Sequence, residues 1–262
     1  MKNLRKKYML LVECISEFLG TGLITFINTS YTASFQLTDE FVDSWKISII
    51  LGVSTCIAIY ISLIVSEAHL NPIVTLSFFL FFNFNYKKVV PYITFQILGV
   101  FFSSVTVYEL YYNLLKNFES QNRILRGSLE SLRSASIFSF FPNKDISVIQ
   151  IFSIEFIISF IFMSIIIFLN NNKSLFFFKI TFSPILIGVI VCIINIIVSP
   201  LTSFTLNPAN DIGSRIFAYL FGWGKIAFTG GLNIYYFIAP ILGTMFGSVT
   251  SVYFYKYIKT IL

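Results

Sequence analysis

Leu206-Asn207-Pro208-Ala209 and Leu70-Asn71-Pro72-Ile73 lie 136 positions apart in an otherwise apolar chain, and few folds accommodate both. Asparagine starts a helix well because its side-chain oxygen accepts an orphaned backbone N–H, and proline fits the first helical position because it has no N–H to lose. Each Asn-Pro therefore predicts a helix beginning at that point. The stretch after each motif is too short to cross a bilayer: about 15 residues from Asn71 to the polar segment ending in Lys87-Lys88, and a similar length from Asn207. Two half-helices starting at membrane depth would converge partial positive charge and amide donors on one spot. That arrangement is useful around a buried polar path.

The remaining sequence supplies the membrane. Of 262 residues, 56% are hydrophobic and 11% charged, and the mean hydropathy is +0.82, which predicts an integral membrane protein. The net charge of +6 comes from dispersed Lys and Arg without an aromatic-interleaved basic patch, so nucleic acid is not an expected partner. Cys14, Cys56 and Cys192 lie in apolar runs without metal-ligand spacing and read as packing residues. Nothing in the chain resembles a nucleophile and base pair, a metal cluster or a phosphate-binding glycine loop, so no enzyme, metal or cofactor is implied. Glu17 interrupts the first apolar run and no small-residue cleavage signature comes after it, which predicts a retained span.

Six spans are predicted at about 10–28, 47–66, 89–112, 148–169, 180–198 and 234–257, with a polar loop at about 113–147. One domain covers 1–262, in halves of about 8–112 and 148–257. An even number of spans puts both termini on one side. Lys2, Arg5, Lys6, Lys7, Lys87, Lys88, Lys173, Lys179, Lys256 and Lys259 gather there, whereas Asp39, Glu40 and Asp43 fall opposite. The positive-inside rule then makes the termini cytoplasmic and the 113–147 loop external. Trp45, Tyr108, Tyr111, Tyr112 and Trp223 read as interface markers.

The halves repeat. Glu17-Phe18 matches Glu155-Phe156, and Ile97-Leu98-Gly99 matches Ile241-Leu242-Gly243. Three spans per half require the second to be inverted. The predicted fold is an all-α membrane protein with six transmembrane helices and two re-entrant half-helices in an inverted 3+3 repeat. Asn71 and Asn207 would cap the half-helices with their oxygens and offer their N–H groups to a passing hydroxyl; the alternative is capping alone. Residues 68–70 and 203–206 are expected to be extended, with carbonyls toward the path. Donors, acceptors and an apolar wall suit a short polyol such as glycerol. Glu17 and Glu155 have two readings, a proton relay or acceptors for the loop N–H groups, and the second is preferred. His69 reads as a pore-wall or loop-supporting side chain, with a pH gate as the alternative. Gln96, Gly99 and Gly243 read as helix-packing positions.

Ser66-Glu67-Ala68-His69-Leu70-Asn71-Pro72-Ile73-Val74-Thr75 and Phe204-Thr205-Leu206-Asn207-Pro208-Ala209-Asn210-Asp211-Ile212-Gly213 resemble the two signature loops of the aquaporin superfamily of major intrinsic proteins. The branch is the aquaglyceroporins, and the likeness extends to Cys14–Gly22, Pro200-Leu201-Thr202, Gly222-Trp223-Gly224 and Ala227–Gly231, in the manner of bacterial glycerol facilitators. Asp211 is the residue that, by this resemblance, marks glycerol conductors. The resemblance implies a right-handed six-span bundle, one pore per subunit and a homotetramer in the bilayer. It also implies passive movement of glycerol and other small uncharged solutes, with a bacterial inner (plasma) membrane as the expected location.

The resemblance also assigns a narrow filter to Leu51, Asn195, Phe204 and Asn210, where the family usually carries an aromatic, a small residue, an aromatic and an Arg. Only Phe204 fits. Replacing the Arg by Asn210 removes a permanent cation with several fixed donors. Ile73 adds bulk beside the midplane, Glu67 puts a carboxylate near the inner vestibule, and Arg215 lies too far along to replace the lost Arg. The filter is then either wider or partly occluded by Asn195 and Ile73. Two further readings stay open: a coupled secondary transporter using intramembrane carboxylates, and a non-conducting structural membrane protein.

Overall fold

The computed structural model describes residues 2–38, 44–171, 181–202, 205–232 and 235–261. Among them, six helices are long and apolar enough to cross a membrane. They are α1 (Lys2–Gln36), α2 (Ser44–Ser62), α4 (Tyr86–Gln121), α6 (Val148–Asn171), α7 (Ser183–Thr202) and α10 (Ile238–Ile261). Two half-helices, α3 (Pro72–Phe81) and α8 (Pro208–Ala218), begin at the Asn-Pro motifs, and the short α5 (Leu132–Ala135) and α9 (Ile226–Thr229) lie in connections. α3 packs against α10 and α8 against α4, so each half-helix touches the last span of the opposite half.

Apolar residues face outward, as a bilayer requires: Leu19, Ile57, Phe168, Ile197 and Phe246 are all exposed. Lipid tails are as apolar as Leu, so helix association depends on close packing and interhelical hydrogen bonds. Small residues provide the closeness. A Cβ on Gly52 of α2 would stand 2.5 Å from the Gly188 carbonyl oxygen of α7, and one on Gly188 equally close to the Gly52 carbonyl oxygen. Cys192 and Cys56 pack beside this crossing. Gly99 lets α4 lie on the Phe18 carbonyl of α1, and its repeat partner Gly243 lets α10 lie on the Phe152 carbonyl of α6. Hydroxyls add the polar contacts: the Ser16 and Ser62 hydroxyls each donate to the other's carbonyl at 3.3 and 3.4 Å.

Helix ends depart from the sequence expectation. α1 has 35 residues and α4 has 36, about 50 Å each at about 1.5 Å per residue, against a hydrocarbon core of about 30 Å. Hydropathy marks the part in lipid and not the end of the helix. Residues 113–121 carry Asn113, Lys116, Asn117, Glu119, Ser120 and Gln121 but no Gly or Pro to stop α4, so they are helix where a loop was expected. α3 is shorter than expected, with ten residues, whereas α8 has eleven and runs on into a wider helical turn at Tyr219–Trp223.

The segment 122–147 caps one end of the bundle. Ile137 and Phe138 are buried with Tyr108, Phe217 and Trp223. Trp223 is fully buried; its Nε1 donates to Ser134 Oγ at 3.0 Å, and the Arg126 guanidinium lies 4.2 Å from its ring. Tyr108 and Trp223 are therefore core residues of the cap and not interface markers, whereas Trp45 and Tyr112 are exposed. The expected acidic cluster Asp39, Glu40 and Asp43, and Lys173 and Lys179, lie outside the described residues.

Because backbone meets backbone at the α2–α7 crossing, Gly52→Ala and Gly188→Ala are each expected to cost about 1–3 kcal/mol. The double variant is expected to cost less than the sum, since both force the same separation. Thermal unfolding of the purified single and double variants checks this.

Candidate functional site

Each re-entrant segment hangs from one buried carboxylate. Glu17 Oε1 accepts from Ser66 Oγ at 2.8 Å and His69 N–H at 3.0 Å, and its Oε2 accepts from Leu70 N–H at 2.7 Å and Gln96 Nε2 at 2.8 Å. Glu155 Oε1 accepts from Thr202 Oγ1 at 2.8 Å and Thr205 N–H at 3.0 Å, and its Oε2 from Leu206 N–H at 3.0 Å. Both glutamates have no exposed surface. Such N–H groups have no water to turn to at this depth, and each would cost several kcal/mol unpaired. Gln96 therefore does more than pack helices; its Nε2 also reaches Thr75 Oγ1 at 3.2 Å.

The carboxylates hold the chain in a turn that α-helix would not allow. Ala68 and Leu70 have φ of 48° and 49°, and Leu206 has φ of 30°. These are left-handed values that side chains with a Cβ rarely adopt. The segments before the Asn-Pro motifs are thus irregular and not simply extended. Ser203 and Phe204 lie outside the described residues. The turns bring the halves together. Asn71 Oδ1 accepts from Ile73 N–H at 3.1 Å and Asn207 Oδ1 from Ala209 N–H at 3.0 Å, capping α3 and α8. Asn71 Nδ2 donates to the Leu206 carbonyl at 3.2 Å, and Asn207 Nδ2 to the Leu70 carbonyl at 2.9 Å. A carboxamide has two N–H donors, so each asparagine keeps one after this reciprocal bond.

A cavity of about 300 Å³ passes this junction, from Glu67, Asn170 and Ser183 at one end to Asn210 and Phe140 at the other. Asn71, Asn207, His69, Thr25 and Thr55 give it polar points, and Ile24, Leu51, Ile59, Phe162, Ile187 and Val191 an apolar wall. Among the described lining residues only Glu67 is an acid or base apart from His69, and its side chain is half exposed at the cavity end. His69 is buried. Its ring sits against Phe78, Phe84 and Tyr92, with Nδ1 3.2 Å from Thr75 Oγ1.

A sequence model of the family described as Major intrinsic protein matches residues 4–254. The chain belongs to the Major intrinsic protein family. It is 41% identical over 244 residues to the "Glycerol uptake facilitator protein" of Escherichia coli (strain K12), covering 93% of this chain and 86% of that protein. The protein of the same name from Buchnera aphidicola is 43% identical over 248 residues, with 94% of each covered. Among solved structures, the aquaglyceroporin from Plasmodium falciparum superposes with a TM-score of 0.80 at 29% identity, covering 94% of this chain and 95% of that one.

Of the four positions that likeness to the Major intrinsic protein family assigned to a filter, the structure brings Leu51 and Asn210 to the cavity. Phe204 lies outside the described residues. Asn195 is not among the lining residues; it is buried, and its Oδ1 accepts from Ser48 Oγ at 2.8 Å. Ile73 is fully buried in the core and is likewise not among the lining residues. Pro72, Pro208 and Ala209 are buried at the starts of α3 and α8. Asp211 and Arg215 form a fully buried pair, with Nη2 2.7 Å from Oδ1. Arg215 also donates to the carbonyls of Ala227 and Phe140 and to the Tyr236 hydroxyl, and so ties three segments together away from the path. Sequence reasoning missed Ser66 and Thr202, whose hydroxyls bond the two glutamates. Their 136-residue separation matches that of the asparagines and was the available signal.

Glu155→Gln keeps one acceptor oxygen but turns an amide donor toward backbone N–H groups. Leaving one of them unpaired is expected to cost about 1–3 kcal/mol, read as a lower thermal midpoint in detergent, with Glu17→Gln behaving alike.

Proposed function

We propose that this chain is a passive channel for glycerol and other small uncharged solutes, water among them, and not an enzyme. The observation that carries the reading is the junction of α3 and α8. Two asparagine amides and the carbonyls of Leu70 and Leu206 meet beside a cavity with an apolar wall, whose one acid among the described lining residues, Glu67, stands at its end. A short polyol can exchange hydration for these donors and acceptors while its carbon side lies on the wall. An ion cannot, because a few neutral groups replace only part of its hydration shell and the converging positive helix ends oppose cations. The names and similarity of the relatives support glycerol as solute.

The competing reading, a proton-coupled transporter, needs a carboxylate that exchanges protons with the path. Glu17 and Glu155 are fully buried, absent from the lining, and committed to backbone and side-chain donors; Glu67, the third carboxylate this reading could use, lies at the cavity end with its side chain half exposed, and the protonophore arm of the flux measurement tests it. The multi-pass chain sits in a lipid bilayer, which we take to be a bacterial inner (plasma) membrane. The basic residues near the chain ends and Lys87-Lys88 support cytoplasmic termini. One pore per subunit in a homotetramer accords with the family likeness.

In liposomes, glycerol flux above that of empty vesicles is expected, linear in the gradient and indifferent to a protonophore, as measured by stopped-flow light scattering. Accumulation driven by a pH difference would contradict the channel reading. Asn210→Arg is expected to slow a five-carbon polyol more than glycerol.

A further inference from the structure

The position where relatives of this fold are expected to carry a fixed cation holds Asn210, and the structure shows what anchors it. Thr25 Oγ1 of α1 donates to Asn210 Oδ1 at 2.9 Å; the Thr21 carbonyl, 3.1 Å away, is the hydroxyl's other acceptor. Both Thr25 and Asn210 line the cavity. Asn210 Nδ2 has no acceptor among the described residues, and it is not one of the sealed, unpaired polar atoms. Asn195, which the resemblance put at the same level, is turned away onto Ser48. Asn210 is therefore the carboxamide that lines the cavity at that end.

The pair does not belong to the repeated framework. In the register that relates the halves, Met163 stands where Thr25 does and Val74 where Asn210 does. Both counterparts are apolar, so the hydroxyl and the amide are features of one end of the path only.

We propose that Thr25 is a specificity-determining positioning residue. Its hydroxyl holds the Asn210 carboxamide by the oxygen, so that Nδ2 stands in the path as a neutral donor to the oxygen of a passing solute. The proposal rests on the channel reading above. The solutes it selects are neutral molecules with an accessible oxygen lone pair, a hydroxyl or a carbonyl: polyols and small amides of the urea kind. A neutral donor gains nothing from a carboxylate's charge beyond one ordinary hydrogen bond, so small organic anions are not favoured. Without the Thr25 hydroxyl, Oδ1 loses its donor and turns toward water in the path, which replaces a donor by an acceptor.

The test compares wild type, T25V and T25S in liposomes, reading the ratio of glycerol to water flux by stopped-flow scattering. Each variant is first required to elute and melt as wild type does. Val matches the shape of Thr without its hydroxyl. One hydrogen bond to a neutral group corresponds to a ratio lowered by about 2- to 10-fold in T25V, and T25S restores it. Should T25V fail to fold, T25A carries the same expectation. An unchanged ratio in T25V overturns the proposal, as does an equal fall in T25S, which would mean packing alone. Absence of glycerol flux in wild type fails the channel reading and removes the proposal with it, an outcome distinct from the other two.

Discussion

Two buried carboxylates make the fold possible. A chain that enters a membrane and turns back must expose backbone N–H groups where no water can reach them. Glu17 and Glu155 accept those groups from His69, Leu70, Thr205 and Leu206. Both oxygens of each carboxylate accept hydrogen bonds, with Ser66 and Gln96 or Thr202 adding to the backbone donors. Burying a charge is costly unless hydrogen bonds surround it. Here the same bonds stabilise the carboxylate and the turn together. This is why an acidic residue inside a span, usually a sign of transport chemistry, acts as a structural hook.

The hook fixes what the path can be. With Leu70 and Leu206 held in left-handed backbone, their carbonyls reach the opposite asparagine, and the halves close on each other through two reciprocal bonds. The half-helix starts then face one another, and their positive ends meet at a neutral junction. A solute there meets the unused amide N–H groups and carbonyl lone pairs. Two ion pairs stand off the junction: Asp211 and Arg215 neutralise each other in the wall, and Arg126 is committed to Glu119 and Trp223 in the cap, while Glu67 stays at the cavity end.

Much of this was legible in the chain. A capping residue and a proline at each half-helix, two carboxylates in matched positions and glycines in matched positions each report a local requirement that sequence encodes directly. Helix length was not, since hydropathy measures immersion and polar residues such as Lys116, Asn117 and Glu119 continue a helix outside the bilayer. Trp223 misled because an aromatic near a span end serves equally as an interface anchor or as the centre of a cap. The difference lies in Ser134 and Arg126, far away in sequence. The family likeness places Asn195, but Ser48, far away in sequence, is what holds its Oδ1.

The most direct measurement is an experimental map of the protein prepared with glycerol. The expected result is glycerol in the cavity at the α3–α8 junction, with hydroxyl oxygens about 3 Å from Nδ2 of Asn71 or Asn207 and its carbon side on Ile187 and Val191. Glycerol absent from the cavity, or lodged there without contact to either asparagine, would contradict the channel mechanism.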